Sequence, residues 1–598
     1  MTERTGPTEL VYLKKILSFF CVVVMVAHMN AIAQQNSWIE STLGSMTVEE
    51  KVGQLFVADL VAVFSNKESP SYQLAKEFVH KYHVGGFVLA GGAVTDIAIV
   101  TNALQRESKL PLLINADLEG GLWFNHPYRW QMGRAPELPR FIPGGGTPLP
   151  SCMAVGASGN PHFAYEFGRI TAREARAVGI QWSNTPVADV NSNPHNPIIN
   201  TRSFGEDPAQ VAAMVEAYVR GAQEEGLIAT LKHFPGHGDT EEDTHMKLPS
   251  LPFDRARLDA MEFVPFKAGI KAGAKAVMTA HIALPNIDPE KRPSTLSPIV
   301  INELLRGHLG FSGLVVTDGM TMQGVTDHFS PAEAAIRAIE AGVDVILVPA
   351  DLAQAYNGLL GAVKSGRISK ARLDESVRRV LAAKAWVGID RQRLVNVEDI
   401  ISIVAPPQSE KIADSMFSAA VTLLRNSGNV LPLRQTSKVH IVTVTDEPNL
   451  QIGDALRDVL EPKVQSAALS HLWNESSPDA INRIGGEIQT ADVVVLGIYL
   501  SVGSWKGQLG FSPELQKFFD GIASLKKPMV TIAFGDPYVI EKLPTTNVIL
   551  VTYTGVRKAE ETVGNVLLGK AEVNGKLPVT IPGKFKRGEG IHLTPEAR

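Results

Sequence analysis

Short apolar runs that alternate with amphipathic helical segments are the feature that most constrains how this 598-residue chain folds. The runs have the length and the β-branched content of strands, and helical periodicity follows most of them, as in 208–226 and 330–342. Ser330 and Glu333 have the spacing of a capping box at the start of the latter helix. The predicted strands are GQLFVADLV (53–61), GGFVLA (85–90), PLLINAD (111–117), IQWSNTPVADV (180–190), LIATLKH (227–233), KAVMTAH (275–281), GLVVTDG (313–319) and VDVILVP (343–349).

Eight strands alternating with helices predict an α/β fold of the (β/α)8 TIM-type barrel class. A doubly wound open sheet produces the same alternation and remains the alternative, although the strand count favours the barrel.

The pattern changes near residue 404, where APPQSEK (405–411) predicts a connection. A second series of strands follows, with predicted members VHIVTVT (439–445), DVVVLGIYL (492–500), PMVTIAFG (528–535) and NVILVTYTG (547–555). A chain of this length exceeds what one core accommodates. We therefore expect a barrel domain at 34–404 and a smaller C-terminal α/β layered sandwich domain at 405–598.

The N-terminus predicts a secretory signal peptide at residues 1–33. Two lysines precede the short apolar run ILSFFCVVVMVA (16–27), and AIA (31–33) has the small-x-small form of a cleavage site. An uncleaved membrane anchor is the alternative. We expect an exported, periplasmic or secreted bacterial protein that has no membrane contact after signal removal. The net charge of −5 gives no general attraction to nucleic acid.

Polar side chains stand at the ends of several predicted barrel strands. Catalytic groups of such barrels gather at the carboxyl ends of the strands, so these side chains predict one shared polar pocket. They are Asp117, Lys232, His233, His281 and Asp318.

The loop KHFPGHGDTEEDTHMKLP (232–249) is the densest cluster of proton-binding groups in the chain. A metal site using His233, His237, Asp239, Asp243 and His245 is one interpretation, but the spacing matches no common zinc motif, and we predict no metal. A solvated loop is another. The third is a proton-transfer dyad in which Asp243 orients the imidazole of His245. Asp318 would then be a carboxylate nucleophile, as in a retaining glycosidase.

The motif KHFPGHGDTEEDTH (232–245) resembles the signature of glycoside hydrolase family 3, in its β-N-acetylglucosaminidase branch. Further similar segments follow in the family's order, and they cover nearly the whole chain after the predicted signal peptide. They are DLEGG (117–121), TPVADV (185–190), RSFGEDP (202–208), VMTAH (277–281), GFSGLVVTDGMTM (310–322), AAVTLLRNSGNVLPL (419–433) and GKLPVTIPG (575–583).

The resemblance implies a role for each matching residue. Asp318 would form a covalent glycosyl-enzyme intermediate, while His245, oriented by Asp243, would protonate the leaving oxygen and later activate water. The residues that would hold sugar hydroxyls are Asp117, Arg202, Lys232 and His233. No cofactor is implied. The sequence departs from the family at Asn125, where an arginine is usual.

We therefore predict a retaining exo-glycosidase that releases terminal β-linked N-acetylglucosamine from glycans such as peptidoglycan fragments or chitooligosaccharides. The alternatives within the family are a β-glucosidase, a β-xylosidase or a β-GlcNAc phosphorylase. Outside it they are a non-catalytic exported sugar-binding protein and a zinc hydrolase. The sequence leaves the oligomeric state open.

Overall fold

The computed structural model of the chain describes residues 34–63, 66–122, 145–446, 448–503, 506 and 509–595. The predicted signal peptide at 1–33 and the departure at Asn125 lie outside these residues. Within the described ranges, no helix combines the length and the apolar character needed to cross a bilayer.

The first sheet is an eight-stranded parallel barrel. Its strands run in the order β7-β6-β5-β4-β3-β2-β1-β8, and a bridge between Val316 and Val345 brings its two end strands together. The Thr317 N–H also donates to the carbonyl of Val345 at 3.0 Å. The predicted barrel is confirmed, and the open doubly wound sheet is wrong for this part of the chain. The strands are β1 (Phe56–Leu60), β2 (Gly86–Leu89), β3 (Leu113–Ala116), β4 (Trp182–Ser183), β5 (Ile228–Phe234), β6 (Ala276–Thr279), β7 (Leu314–Thr317) and β8 (Ile346–Leu347).

Helices cover the outside of the barrel and connect its strands. Many begin at a residue whose side chain accepts a hydrogen bond from the first turn, as Asp207 does for Pro208–Glu224. The described helices of this part are 34–45, Val48–Gly53, Pro70–Lys81, Val94–Glu107, Cys152–Ala157, Pro161–Ala177, Pro208–Glu224, Arg255–Ala260, Phe263–Lys271, Ile299–His308 (a π-helix), Gln323–Thr326, Pro331–Ala341, Leu352–Lys364, Lys370–Trp386 and Ile400–Ile403.

The capping box predicted at Ser330 forms only in part. The Ser330 hydroxyl accepts the Glu333 N–H at 3.3 Å, as expected. The Glu333 carboxylate instead binds the guanidinium groups of Arg337 and Arg367. Two ion pairs compete with the single backbone N–H that a capping box would offer.

The barrel interior is filled with apolar side chains. One core cluster takes residues from all eight strands, including Trp182 of β4 and Met278 of β6, together with Val380 and Ala383 of helix Lys370–Trp386. Packing of this kind leaves the polar residues at the carboxyl ends of the strands to form the site.

The second sheet has six strands in the order β11-β10-β12-β13-β14-β9, with β9 antiparallel to β14 and the other pairs parallel. Helices flank it, so the predicted α/β architecture of the C-terminal part is confirmed. The strands are β9 (Thr422–Asn426), β10 (Lys438–Thr445), β11 (Ser466–Trp473), β12 (Val493–Tyr499), β13 (Met529–Ala533) and β14 (Val548–Val551). The helices are Pro407–Ala420, Asp454–Leu460, Pro478–Glu487, Pro513–Ser524 and Arg557–Leu567.

The domains that contain the two sheets contribute apolar side chains to common core clusters. Met153 and Ala154 of the barrel belong to the same core cluster as Leu496 of β12. Met416 and Phe417 of helix Pro407–Ala420 belong to the cluster that covers the barrel. The predicted boundary between residues 404 and 405 stays a prediction.

Candidate active site

The predicted site residues stand at one end of the barrel. Asp117 directly follows β3, Lys232 and His233 are in the last half of β5, and Asp318 directly follows β7. Because the strands are parallel, their carboxyl ends share one face of the barrel. Arg202 is in the 3-10 turn Asn200–Arg202, beyond β4 on the same face.

A network of ion pairs links three of these elements: the segment after β3, the turn after β4, and β5. The Lys232 ammonium lies 2.8 Å from a carboxylate oxygen of Asp117 and 2.6 Å from one of Glu119. Arg202 forms a two-pronged pair with the same Glu119 carboxylate, with both distances 2.8 Å. Burial alone would lower the pKa of Lys232, but Asp117 and Glu119 raise it above its ordinary value, so the amine is an ammonium. This network presents fixed charges and donors to a polar ligand.

His233 is held from behind by a buried carboxylate. Its Nδ1 lies 2.7 Å from Asp189 Oδ2, and its Nε2 lies 3.4 Å from the Arg202 guanidinium. Asp189 also accepts the N–H groups of His233 and His237. Burial opposes ionisation of Asp189, yet His233 and His237 lower the pKa of that carboxyl below its ordinary value. The ring of His233 therefore has a fixed orientation toward Arg202.

Asp243 and His245 form the predicted pair in the loop after β5. His245 Nδ1 lies 2.7 Å from Asp243 Oδ1, and the His245 N–H donates to the same oxygen at 2.9 Å. The Asp243 carboxylate is 1% exposed, whereas the His245 side chain is 14% exposed. The buried carboxylate thus anchors Nδ1 of an imidazole that solvent and ligands can reach.

Asp318 is an ionised carboxylate on the same face. Burial raises the pKa of its carboxyl, but His233, His281 and His245 act more strongly in the opposite direction, and the pKa falls to about 2. The Gly319 N–H donates to Asp318 Oδ1 at 2.8 Å. The loop of His245 packs beside this residue, since the Gln323 N–H donates to the His245 carbonyl. The structure therefore brings Asp318 within electrostatic reach of the Asp243–His245 pair.

His281 is fully buried, and both of its ring nitrogens have partners within the protein. Its Nδ1 lies 2.9 Å from the Thr295 hydroxyl and its Nε2 lies 3.1 Å from the Gly319 carbonyl. Burial lowers its pKa, and Asp318 only partly offsets this effect. His281 thus braces the loop that carries Asp318.

The residues considered as metal ligands are divided among separate partners. His233 binds Asp189, His245 binds Asp243, and His237 lies between the Thr240 and Thr244 hydroxyls. Asp239 pairs with Arg257. In the described part of the chain, no three His, Cys, Asp or Glu side chains converge on a point that could hold a metal ion.

Sequence reasoning missed two residues that organise the site. Glu119 joins Lys232 to Arg202, and Asp189 orients His233. Both are part of segments that the sequence had marked, DLEGG and TPVADV, and both follow a strand of the barrel. Glu119 has the signal that identified Asp117, an acid shortly beyond the end of β3, whereas Asp189 lies inside the segment 180–190 that the sequence predicted as a strand.

Comparison with known proteins matches nearly the whole described chain. The model described as "Glycosyl hydrolase family 3 N terminal domain" matches residues 47–383, and "Glycosyl hydrolase family 3 C-terminal domain" matches 421–593. A Cellulomonas fimi protein named beta-N-acetylglucosaminidase/beta-glucosidase is 30% identical, over 91% of this chain and 95% of its own.

Two solved structures are similar over comparable lengths. A glycoside hydrolase family 3 beta-N-acetylglucosaminidase from Paenibacillus sp. str. FPU-7 is 31% identical, with a TM-score of 0.78 over 90% of this chain and 99% of its own. A beta-glucoside phosphorylase is 26% identical, with a TM-score of 0.79 over 91% of this chain and 96% of its own.

Proposed function

Because this chain belongs to glycosyl hydrolase family 3, as a glycoside hydrolase of β-N-acetylhexosaminidase type, we propose that it removes terminal β-linked N-acetylglucosamine with retention of configuration. The observation that carries this proposal is the pairing of Asp243 with His245 beside the ionised Asp318. An anchored imidazole and a carboxylate on one face can serve as the proton donor and the nucleophile of a double displacement.

In the first step, a carboxylate oxygen of Asp318 attacks the anomeric carbon. The bond from that carbon to the leaving oxygen breaks, and His245 gives its Nε2 proton to this oxygen. The product is a glycosyl ester of Asp318 and a free acceptor alcohol. Asp243, bound at Nδ1, keeps the proton to be transferred on Nε2 and stabilises the ring's positive charge.

In the second step, His245 Nε2 takes a proton from water, whose oxygen attacks the anomeric carbon from the face the alcohol left. The ester bond breaks and Asp318 returns as a carboxylate. Two inversions give net retention, and protons and electrons balance over the cycle.

The charged network is proposed to hold the sugar. Asp117 would accept hydrogen bonds from hydroxyl groups, and His233 would accept or donate them. Arg202 and Lys232 would donate to sugar oxygens. Their mutual ion pairs fix their positions before a ligand arrives, which reduces the entropy lost on binding. Peptidoglycan fragments or chitooligosaccharides are the proposed glycans, with export through residues 1–33 giving access to them.

The decisive experiment is activity against a panel of aryl β-glycosides with Asp318→Ala. We expect hydrolysis of aryl β-GlcNAc by the wild type and a loss of about 10³-fold or more in kcat for the variant, which should still bind the sugar. Asp327→Ala, at an exposed aspartate directly after helix Gln323–Thr326, is the matched control and should keep wild-type kcat. Wild-type kcat in Asp318→Ala would contradict the assignment. Binding by the wild type without turnover of any glycoside would support the sugar-binding alternative.

A phosphorylase is the second candidate. The similar solved phosphorylase and the use of an imidazole in place of a second carboxylate favour it, because a histidine repels an anionic acceptor less than a carboxylate does. Addition of inorganic phosphate to the same assay separates the two. An increase in rate with release of sugar 1-phosphate would identify a phosphorylase, whereas an unchanged rate with free sugar identifies the hydrolase.

A further inference from the structure

A closed ring of four hydrogen bonds joins the barrel to the second domain beside the turn that carries Arg202. Asp536 Oδ1 accepts Asn200 Nδ2 at 3.0 Å and the Tyr538 N–H at 2.9 Å. The Tyr538 hydroxyl accepts Asn191 Nδ2 at 2.7 Å. Asn191 Oδ1 closes the ring by accepting the Asn200 N–H at 3.0 Å. Each domain supplies two of its four residues.

The ring is shielded from water on both sides of the domain boundary. Asn191 and Asn200 are 1% and 2% exposed, and Asp536 and Tyr538 are 7% and 6% exposed. A buried polar group that loses its partner pays its full desolvation cost, so the ring favours one relative placement of its four residues.

Asn200 connects this ring to the sugar-binding network. It begins the 3-10 turn Asn200–Arg202, and its backbone has the left-handed φ of 41° that asparagine tolerates better than most residues. The Asn200 carbonyl accepts the Ser203 N–H, which closes the turn around Arg202. Asn200 is fixed by Asp536 through its side chain and by Asn191 through its N–H, so the ring holds the start of the turn that carries Arg202.

The second domain also holds the other end of the same barrel segment. The Glu206 N–H donates to the Pro578 carbonyl at 3.1 Å. The Glu206 carboxylate accepts the Thr580 N–H and hydroxyl, each at 2.7 Å. Residues 191–206, which include Arg202, are thus clamped at both ends by the C-terminal domain.

We propose that Asp536 and Tyr538 are positioning residues of the active site: acting through Asn200 and Asn191, they fix Arg202 and so allow the second domain to set the affinity for the sugar. The inference rests on the proposed function, because Arg202 is proposed to hold a sugar hydroxyl. Neither Asp536 nor Tyr538 needs to touch the substrate. Loss of the ring should therefore weaken binding more than it slows the chemical step.

The test compares kcat and KM on an aryl β-GlcNAc for four variants. Asp536→Ala should raise KM about tenfold with a smaller change in kcat, because a displaced Arg202 loses an interaction made in both the ground and transition states. Asp536→Asn should restore KM, since its amide oxygen can accept the same two hydrogen bonds. Tyr538→Phe should raise KM in the same direction by a smaller factor.

Tyr553→Phe is the matched control for Tyr538→Phe. Tyr553 is also a buried tyrosine of the second domain, 1% exposed, and its hydroxyl bonds Thr422 at 2.8 Å, away from the ring. A purely structural effect would lower the melting temperature of both variants and leave both KM values unchanged.

The KM values of these variants decide whether Asp536 and Tyr538 position the active site. A raised KM in Asp536→Ala and Tyr538→Phe, with wild-type KM in Asp536→Asn and Tyr553→Phe, supports the proposal. Wild-type KM in Asp536→Ala and Tyr538→Phe overturns it while the proposed function stands. If Asp536→Ala does not fold, the comparison of Tyr538→Phe with Tyr553→Phe gives the answer. A wild type that hydrolyses no glycoside overturns the proposed function, and this inference with it.

Discussion

Asp243 Oδ1 accepts two hydrogen bonds from the same residue, one from the ring of His245 and one from its backbone N–H. This double attachment makes the orientation of the imidazole a property of a three-residue segment rather than of distant packing. The 1% exposure of the carboxylate also keeps water from competing for the ring. A short sequence element can therefore fix the orientation of an imidazole almost by itself.

Asp243→Asn should impair proton transfer while leaving the loop in place. An amide oxygen can still accept from His245, but it cannot stabilise an imidazolium as a carboxylate does, so we expect kcat to fall about 10²-fold or more. The deficit should be greatest for aryl glycosides whose phenols are poor leaving groups, since good ones need little protonation. Steady-state kinetics over a series of substituted phenyl β-GlcNAc substrates measures this. An equal loss across the series would contradict an acid role for His245.

At the scale of elements, the site depends on contacts between strand ends that are far apart in the chain. The ammonium of Lys232 on β5 meets the carboxylates of Asp117 and Glu119 beyond β3, and Arg202 reaches the same Glu119 from the turn beyond β4. The complete network forms when all three elements are in register. The geometry of the network, and with it the sugar binding that we propose for it, thus depends on the packing of the barrel.

Glu119→Gln should reveal this dependence. The Glu119 carboxylate is 6% exposed and its loss leaves Lys232 and Arg202 with less compensation, so we expect the free energy of unfolding to fall by about 3 kcal/mol and KM to rise. Glu242→Gln is the control, because the Glu242–Lys247 pair is 43% and 67% exposed and should contribute less than about 1 kcal/mol. Chemical denaturation of both variants measures how much unfolding free energy each substitution removes. Equal, small effects would show that the buried network is not needed for stability.

Strand ends were predictable from the sequence because their polar residues interrupt apolar runs. The barrel strands lie at the predicted positions, and Asp117 and Asp318 directly follow theirs, β3 and β7. In the second domain, β9 and β11 were missed. β11 is an edge strand with several exposed residues, and β9 is a short antiparallel addition that ends in exposed polar residues, so neither has a continuous apolar pattern.

The ion-pair and hydrogen-bond partners of the predicted site residues could not be predicted from the sequence in the same way. The sequence identifies Glu119 and Asp189 only as members of family motifs. Nothing in the neighbouring sequence indicates that Glu119 binds Arg202 or that Asp189 binds His233. The complete burial of His281 could not be predicted from the sequence either. Such pairings depend on the order in which strands close the barrel, which is a tertiary property.

For the whole molecule, the two domains share apolar cores as well as polar contacts. Ala154, in a helix of the barrel domain, is fully buried in a cluster that includes Leu496 of β12 and Leu577 near the C-terminus. Helix Pro407–Ala420 in turn contributes to the cluster that covers the barrel. Each domain therefore completes the other's core, and we expect the intact protein to unfold in one calorimetric transition.

Ala154→Asp should separate the two domains energetically. It places an unpaired carboxylate in the shared apolar cluster, which should cost at least about 3 kcal/mol and either divide the single transition into two or lower its midpoint sharply. Ala382→Asp, the same substitution at an exposed position in helix Lys370–Trp386, should keep one transition near the wild-type temperature. Because residues 191–206 are clamped by the second domain, Ala154→Asp should also raise KM when the domains loosen, at temperatures below the transition. Two independent wild-type transitions, with KM unaffected by Ala154→Asp, would mean that the barrel fixes the turn of Arg202 without help from the second domain.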